Sequence, residues 1–250
     1  MTRLTDPKSL VYILCHALTF AIGIILCASG RVLLISIGSS LIAAGIAGWV
    51  VFVHVLASNR LSETIDIIQQ FGLINAFEGR QVRIKPYYDD LLKNANERID
   101  IMGFGLRALR EDYLADFQQW KDKAHVRILL IDPEFPPNGG PTYSAQRDFE
   151  ERDHSGTIAQ QVKQFIVDTR PLRHGCDDRF QIRLYKCLPS VNVFRVDGIL
   201  LWGPYLIKEP SRNSPTFVVR KGGLLFGRLL KHFDSIWNDD QLSRPIPDNW

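Results

Sequence analysis

Two long apolar runs, Leu10 to Ser29 and Val32 to Ala57, open the chain with only Gly30 and Arg31 between them. A helix rises about 1.5 Å per residue, so a hydrocarbon core of ~30 Å needs about 20 residues to cross. Each run is long enough, and the second exceeds the need and must tilt. The pattern therefore predicts a two-helix transmembrane hairpin over 1–58, with spans at about 10–29 and 32–57. The first run is too long for a signal peptide, and a second follows at once.

Past Ser58 the periodicity changes. Leu61 to Phe77 reads as a connecting helix with Ile65, Ile67, Ile68, Phe71 and Leu73 as its apolar set, and with its linker it fills 59–82. Pro86 opens a helical pattern from Tyr87 to Arg98. Ile99 to Phe104 reads as a strand, Leu109 to Ala124 as a helix, and Val126 to Ile131 as a strand buried on both faces. Strand, helix and strand at that spacing predict a βαβ unit with parallel pairing. Glu134 to Tyr143, rich in Pro and Gly, reads as a loop, and a charged stretch from Gln146 to His154 follows it. Next comes a helix capped by Thr157 that buries Ile158, Val162, Phe165 and Ile166. Phe180 to Leu188, Val191 to Val196, Ile199 to Tyr205 and Phe217 to Arg220 are short β patterns, and Asp197-Gly198 marks a hairpin. Leu224 to Asn238 closes the chain as an amphipathic helix. The reading is α/β, with one domain over 83–250 behind the hairpin.

Composition hides this division. The chain averages 46% hydrophobic and 23% charged residues, as an ordinary globular domain does. Yet Arg31 is the sole Lys, Arg, Asp or Glu between Leu10 and Ala57. That asymmetry excludes a freely soluble protein, a disordered chain and a collagen-like repeat. Four cysteines without paired spacing exclude a disulfide scaffold. Arg3, Lys8 and Arg60 flank the open end of the hairpin against Arg31 at its tip. By the positive-inside rule this predicts an inner-membrane protein with both termini cytoplasmic.

Within the hairpin, Ser40, Ala44 and Gly48 recur at four-residue spacing, a stripe over which membrane helices can approach closely. His16 falls at roughly the depth of Gly45. Two readings stay open: the stripe packs the hairpin on itself and His16 bonds a backbone carbonyl, or the stripe drives homo-oligomers and His16 lines a polar path.

Charge is also uneven beyond the hairpin. Pro171 to Lys231 holds eleven basic residues against four acidic ones, a local +7 within a chain of net +3. Arg183, Lys186, Arg220 and Lys221 are its candidates for contact with an anionic partner, lipid headgroups or a nucleic acid; the alternative is a solvated surface whose charges do not converge. Known site motifs are missing. His174 and Cys176 have no second pair to complete a metal site. There is no Gly-rich phosphate loop, G-x-S-x-G elbow or H-E-x-x-H, and no cofactor is implied.

The run YYDDLLKNANERIDIMGFGLRAL from Tyr87, then VRILLIDP, the hairpin NVFRVDGILLWGPYL and the closing helix together resemble one half of the phospholipase D-like fold, over roughly Arg83 to Asp239. Active members of that family carry a His-x-Lys pair, an Asp five residues after the Lys, and a Gly-Ser-x-Asn some seven residues later. Aligned on Asp197, this chain has Ser190 and Asn192 in place of the His and Lys, with Gly203-Pro204 where Gly-Ser would begin. A serine without a partnered base is a poor replacement for a nucleophilic imidazole. The resemblance thus implies a pseudoenzyme that keeps a groove for a phosphate-bearing ligand, lined by Gly103, Ser190, Asn192, Arg195 and Asp197.

A two-span hairpin joined to such a domain looks like the two-transmembrane effectors of bacterial antiphage defence, those of retrons in particular. That resemblance implies a toxin that perturbs the inner membrane in abortive infection. Partners, a reverse transcriptase and its RNA–DNA hybrid, would hold it inactive. The alternatives are a membrane-bound phospholipase D-like phosphodiesterase and a non-lethal ligand sensor.

Overall fold

The computed structural model describes residues 7–79, 84–137, 139–173, 178–247 and 250. The chain divides into two units, Met1–Ile67 and Ile68–Trp250. In the first, α1 (Pro7–Ala28) and the start of the 40-residue α2 (Val32–Phe71) form the hairpin. Gly30 (φ +72°) makes the turn between them, in a region a side chain would resist. Leu10–Ala28 and Val32–Val55 have mean hydropathies of 2.4 and 1.9, and only 6% and 17% of these segments are buried by the chain. Two helices are thus long and apolar enough to cross a membrane, and most of their apolar surface is left for another medium to cover.

Glycines set the seam of this hairpin. A Cβ on Gly38 would lie 2.7 Å from the carbonyl oxygen of Gly23 and the sulfur of Cys27, so the two backbones touch there. Gly45 faces Phe20, and the His16 ring occupies the space a Cβ on Gly48 would take. Near the open end Tyr12 stacks on Phe52, with ring centroids 5.1 Å apart.

The second unit is built on an eight-stranded mixed sheet in the order β1-β7-β6-β5-β2-β3-β4-β8. Its first strand replaces part of the expected Leu61–Phe77 helix. Gly72 (φ +74°) terminates α2, and β1 (Leu73–Phe77) pairs antiparallel with the later strand Thr216–Arg220. Helical periodicity fails here because an edge strand with three exposed central residues shows no buried alternation to read. There follow α3 (Lys85–Lys93), β2 (Arg98–Gly103), α4 (Arg107–Tyr113), α5 (Phe117–Lys123) and β3 (His125–Ile131). The single helix expected over 109–124 is interrupted by a 3-10 turn, Leu114–Asp116, after which Phe117 and Trp120 are buried.

β2 and β3 are parallel, as the βαβ pattern predicts. The charged stretch forms α6 (Tyr143–Glu151), capped by the Thr142 hydroxyl. In α7 (Thr157–Asp168) the cap does not come from Thr157, which donates to the His154 carbonyl. The buried Asp148 of α6 accepts from Gly156 N at 2.8 Å and Ile158 N at 2.9 Å, so one helix caps the next. A short α8 (Arg170–Arg173) precedes β4 (Phe180–Tyr185), which is parallel to β3. The expected hairpin is present as β5 (Val191–Val196) and β6 (Ile199–Pro204), and β7 (Thr216–Arg220) follows. α9 (Leu224–Asn238) has the bounds expected of it, and β8 (Ser243–Pro245), too short for any periodicity, closes the far edge on β4. Phe117, Phe165 and Phe180 cluster on one face of the sheet, and α9 covers the other with Phe226, Phe233, Ile236 and Trp237.

Candidate ligand site

In an open sheet with parallel strands, ligands bind outside the carboxyl ends of those strands, where backbone groups and loops are available. At this end β2 finishes at Gly103. Met102 pairs with Val193 and Asn192 pairs with Gly203, so Gly103, Asn192 and Gly203 lie in a row on one face. Asn192 is buried, and its side-chain Nδ2 donates to the Gly203 carbonyl at 2.8 Å. The glycines are needed for packing. A Cβ on Gly103 would lie 2.5 Å from Leu106 Cδ2, and one on Gly203 would lie 2.5 Å from the Pro215 carbonyl oxygen. Leu106 itself adopts φ +49°, a strained conformation for a bulky residue, and folds its side chain over this row.

Around the row stand groups that the sequence did not single out. Tyr205 packs edge-on against Phe104 at 4.6 Å, and the Arg147 guanidinium lies 5.3 Å from the Tyr205 ring. Arg147 is buried, and all its nitrogens are engaged: Nε with Glu151, Nη1 with Glu150 and the Leu206 carbonyl, Nη2 with the Glu209 carbonyl and Ser211. It staples α6 to the 206–211 loop and offers no donor to a ligand. The hydroxyls of Ser214 and Thr216 are buried and form no hydrogen bond within the described structure. Their only sequence signal is the two-residue spacing that puts both on one side of an extended segment.

The five residues expected to line a groove do not come together. Gly103 and Asn192 are neighbours, and the exposed Ser190 lies just beyond them, its backbone carbonyl accepting from Tyr205 N. Arg195 lies on the opposite face, under α9, because side chains alternate along a strand. There Arg195 Nη1 and Arg127 Nε reach Asp100 at 2.9 and 2.7 Å, and Arg127 Nη2 reaches Asp234 at 2.8 Å. This row crosses three adjacent strands. Burial pulls the Arg127 pKa down, and bonding to Asp100 and Asp234 outweighs it, so the net direction is up. Asp197 is at the other end of β5, about 17 Å from Asn192 at a strand's rise per residue. Its carboxylate accepts from Asn96 N, Glu97 N and Arg98 N at 3.0, 2.9 and 2.8 Å, clamping the start of β2.

The candidate basic residues separate as well. Arg183 is tied to Asp240 and Ser243, and Lys186 to the Asp240 carbonyl. Arg220 ends β7 and Lys221 follows it, five strands away, or about 24 Å at ordinary strand spacing. In the hairpin, Gly48 and His16 meet, while Ser40 and Ala44 lie on the exposed face of α2. His174 and Cys176 lie outside the described residues. Among the described residues no group of three His, Cys, Asp or Glu could hold a metal ion.

Chemically the sheet end offers an amide and hydroxyls. Burial pushes the nearby Cys187 thiol up, away from the thiolate form that a nucleophile needs. Such a set can bind a polar ligand. It holds no paired nucleophile and base among the described residues.

No family model matches the chain, and no curated protein matches it. Twenty-two chains of solved structures do. One is TrmBL2, an archaeal chromatin protein described with a novel mode of DNA binding; it is 10% identical with a TM-score of 0.44, over 83% of this chain and 70% of that one. Another is the phosphatidylserine synthase of Haemophilus influenzae Rd KW20, 11% identical with a TM-score of 0.45, over 68% of this chain. The chain spans 39% of the length of that synthase.

Proposed function

We propose that this protein is a membrane-anchored effector whose cytoplasmic, phospholipase D-like domain binds a ligand and does not catalyse. The observation that carries this reading is the state of the two positions aligned with the family's His and Lys. Asn192 spends its amide on Gly203, and Ser190 is exposed with no hydrogen bond from its hydroxyl to a described side chain. Output then falls to the hairpin, whose two apolar helices the chain leaves largely uncovered. In the full reading the protein serves bacterial antiviral defence. Partners, such as a retron's reverse transcriptase with its RNA–DNA hybrid, hold that domain inactive. Their loss lets the hairpins assemble as homo-oligomers and permeabilise the inner membrane, and the infected cell dies before phage mature.

Expression of the full chain alone is expected to depolarise the inner membrane, read with a potential-sensitive dye. A chain lacking 1–58 is expected to leave it polarised, and Ser190→Ala, an exposed position, to depolarise it like the wild type. No depolarisation by the full chain would sink the proposal. Phosphodiesterase activity abolished by Ser190→Ala would replace it with the enzymatic alternative. Asp197→Ala cannot serve as that test, since Asp197 holds β2 in place.

A further inference from the structure

Helix α2 ends in a joint made of backbone. The side chains of its last turn, Ile68, Gln69, Gln70 and Phe71, are all exposed, so their burial contributes little to fixing this end. The main chain fixes it instead. Arg220 N donates to the Gly72 carbonyl at 2.9 Å, and Leu73 begins the pairing of β1 with β7. Gly223, the residue before α9, lies directly against Gly72. A Cβ on Gly72 would fall 2.7 Å from Gly223 Cα, and one on Gly223 would fall 2.8 Å from the Phe71 carbonyl oxygen. Two backbones in contact leave no flexible side chain between them to absorb a shift.

The joint continues into the sheet. Lys221 N donates to the Gly198 carbonyl at 2.7 Å. Gly198 follows Asp197, whose carboxylate holds the Asn96, Glu97 and Arg98 amides at the start of β2. β2 and β5, which meet at this turn, carry Gly103 and Asn192 toward their opposite ends.

We propose that this joint is a coupling device, which passes a displacement of β2 and β5, the strands of the candidate ligand site, to the end of α2. Three contacts in series form the route: Asp197 on the β2 amides, Gly198 on Lys221, and Gly223 on Gly72. α2 runs unbroken from Val32 to Phe71, and helix formation is cooperative, so the turns at its end gain or lose order together. A seated joint keeps those turns helical, and a displaced joint lets them open. The contact itself demands glycine, because a Cβ at either 72 or 223 would force the two backbones apart. The inference rests on the effector reading for what the helix then does to the hairpin, while the coupling is measured without it.

The test is hydrogen–deuterium exchange, read by mass spectrometry on the full chain in detergent. Gly223→Ala should speed exchange of the amides from Ile68 to Leu73 by about tenfold and leave those of β3 and β4 unchanged. Asp197→Asn, a milder change remote from Gly72, should speed the same amides, because the route begins at its carboxylate. Arg244→Met breaks the bonds to Asp132 near the opposite edge of the sheet and should leave them at the wild-type rate. Exchange is read whether or not a membrane leaks, so a failure of the effector reading is seen separately, in the depolarisation assay. Wild-type rates from Ile68 to Leu73 in Gly223→Ala or in Asp197→Asn would overturn the proposal, and so would an equal rise in Arg244→Met.

Discussion

At the residue scale, single side chains do several backbone jobs at once. Asp197 holds three amides with one carboxylate while its own N–H donates to the Arg98 carbonyl. Asp197→Ala is expected to lower stability by about 2 kcal/mol, the scale for hydrogen bonds to a charged group, in thermal unfolding of the detergent-solubilised protein. Asp197→Asn, which keeps one acceptor, should cost less. His232 on α9 has its pKa lowered by burial, so the folded chain prefers the neutral ring. Its contribution is complete above the ordinary histidine pKa of about 6.5 and is lost as pH falls through the lowered value. His232→Gln should flatten that part of the pH–stability curve. Neither role is legible in the residue alone. The Asp-Gly pair signals the hairpin, but which amides its carboxylate meets depends on a strand a hundred positions earlier.

At the scale of elements, the two helices of the hairpin divide the small residues of α2 between two faces. Gly38, Gly45 and Gly48 serve the seam, whereas Ser40 and Ala44 face outward. Substitutions should therefore separate folding from assembly. Gly48→Leu would displace the His16 ring and is expected to disrupt the hairpin itself, read as lost thermal stability. Ala44→Leu should leave the hairpin intact and remove crosslinked oligomers from membranes. A full crosslinking ladder in Ala44→Leu would place any oligomer contact elsewhere. The four-residue spacing of Ser40, Ala44 and Gly48 is visible in the sequence. The angle at which α1 meets α2 is not, and it assigns Gly48 to one face and Ala44 to the other. The α6–α7 junction is similar. Arg147 and Asp148 fall in the charged stretch from Gln146 to His154, yet both are buried, because Glu150, Glu151 and three carbonyl or hydroxyl groups surround the one and two amides satisfy the other.

For the whole molecule, the sheet is closed at each edge by a strand that the sequence leaves unmarked. β8 carries Arg244, which grips the buried Asp132 through two bonds and Glu134 through a third at 2.7 Å. Arg244→Met would leave Asp132 buried without its partner and is expected to cost about 3 kcal/mol, measured by denaturant unfolding. A loss near zero would show that water can replace the guanidinium. The sequence by itself determined the two apolar helices, the parallel β2–β3 unit, the β5–β6 hairpin and the limits of α9, because each rests on a period or turn chemistry contained within a few residues. It also determined that no histidine stands two residues before a lysine. Only the tertiary structure decided that Asp197 is a clamp, that Arg195 lies behind the sheet, and that Asn192 faces Gly203 while the hydroxyls of Ser214 and Thr216 have no partner among the described residues. Those facts follow from strand order and register, and they join residues too far apart along the chain for any local pattern to record.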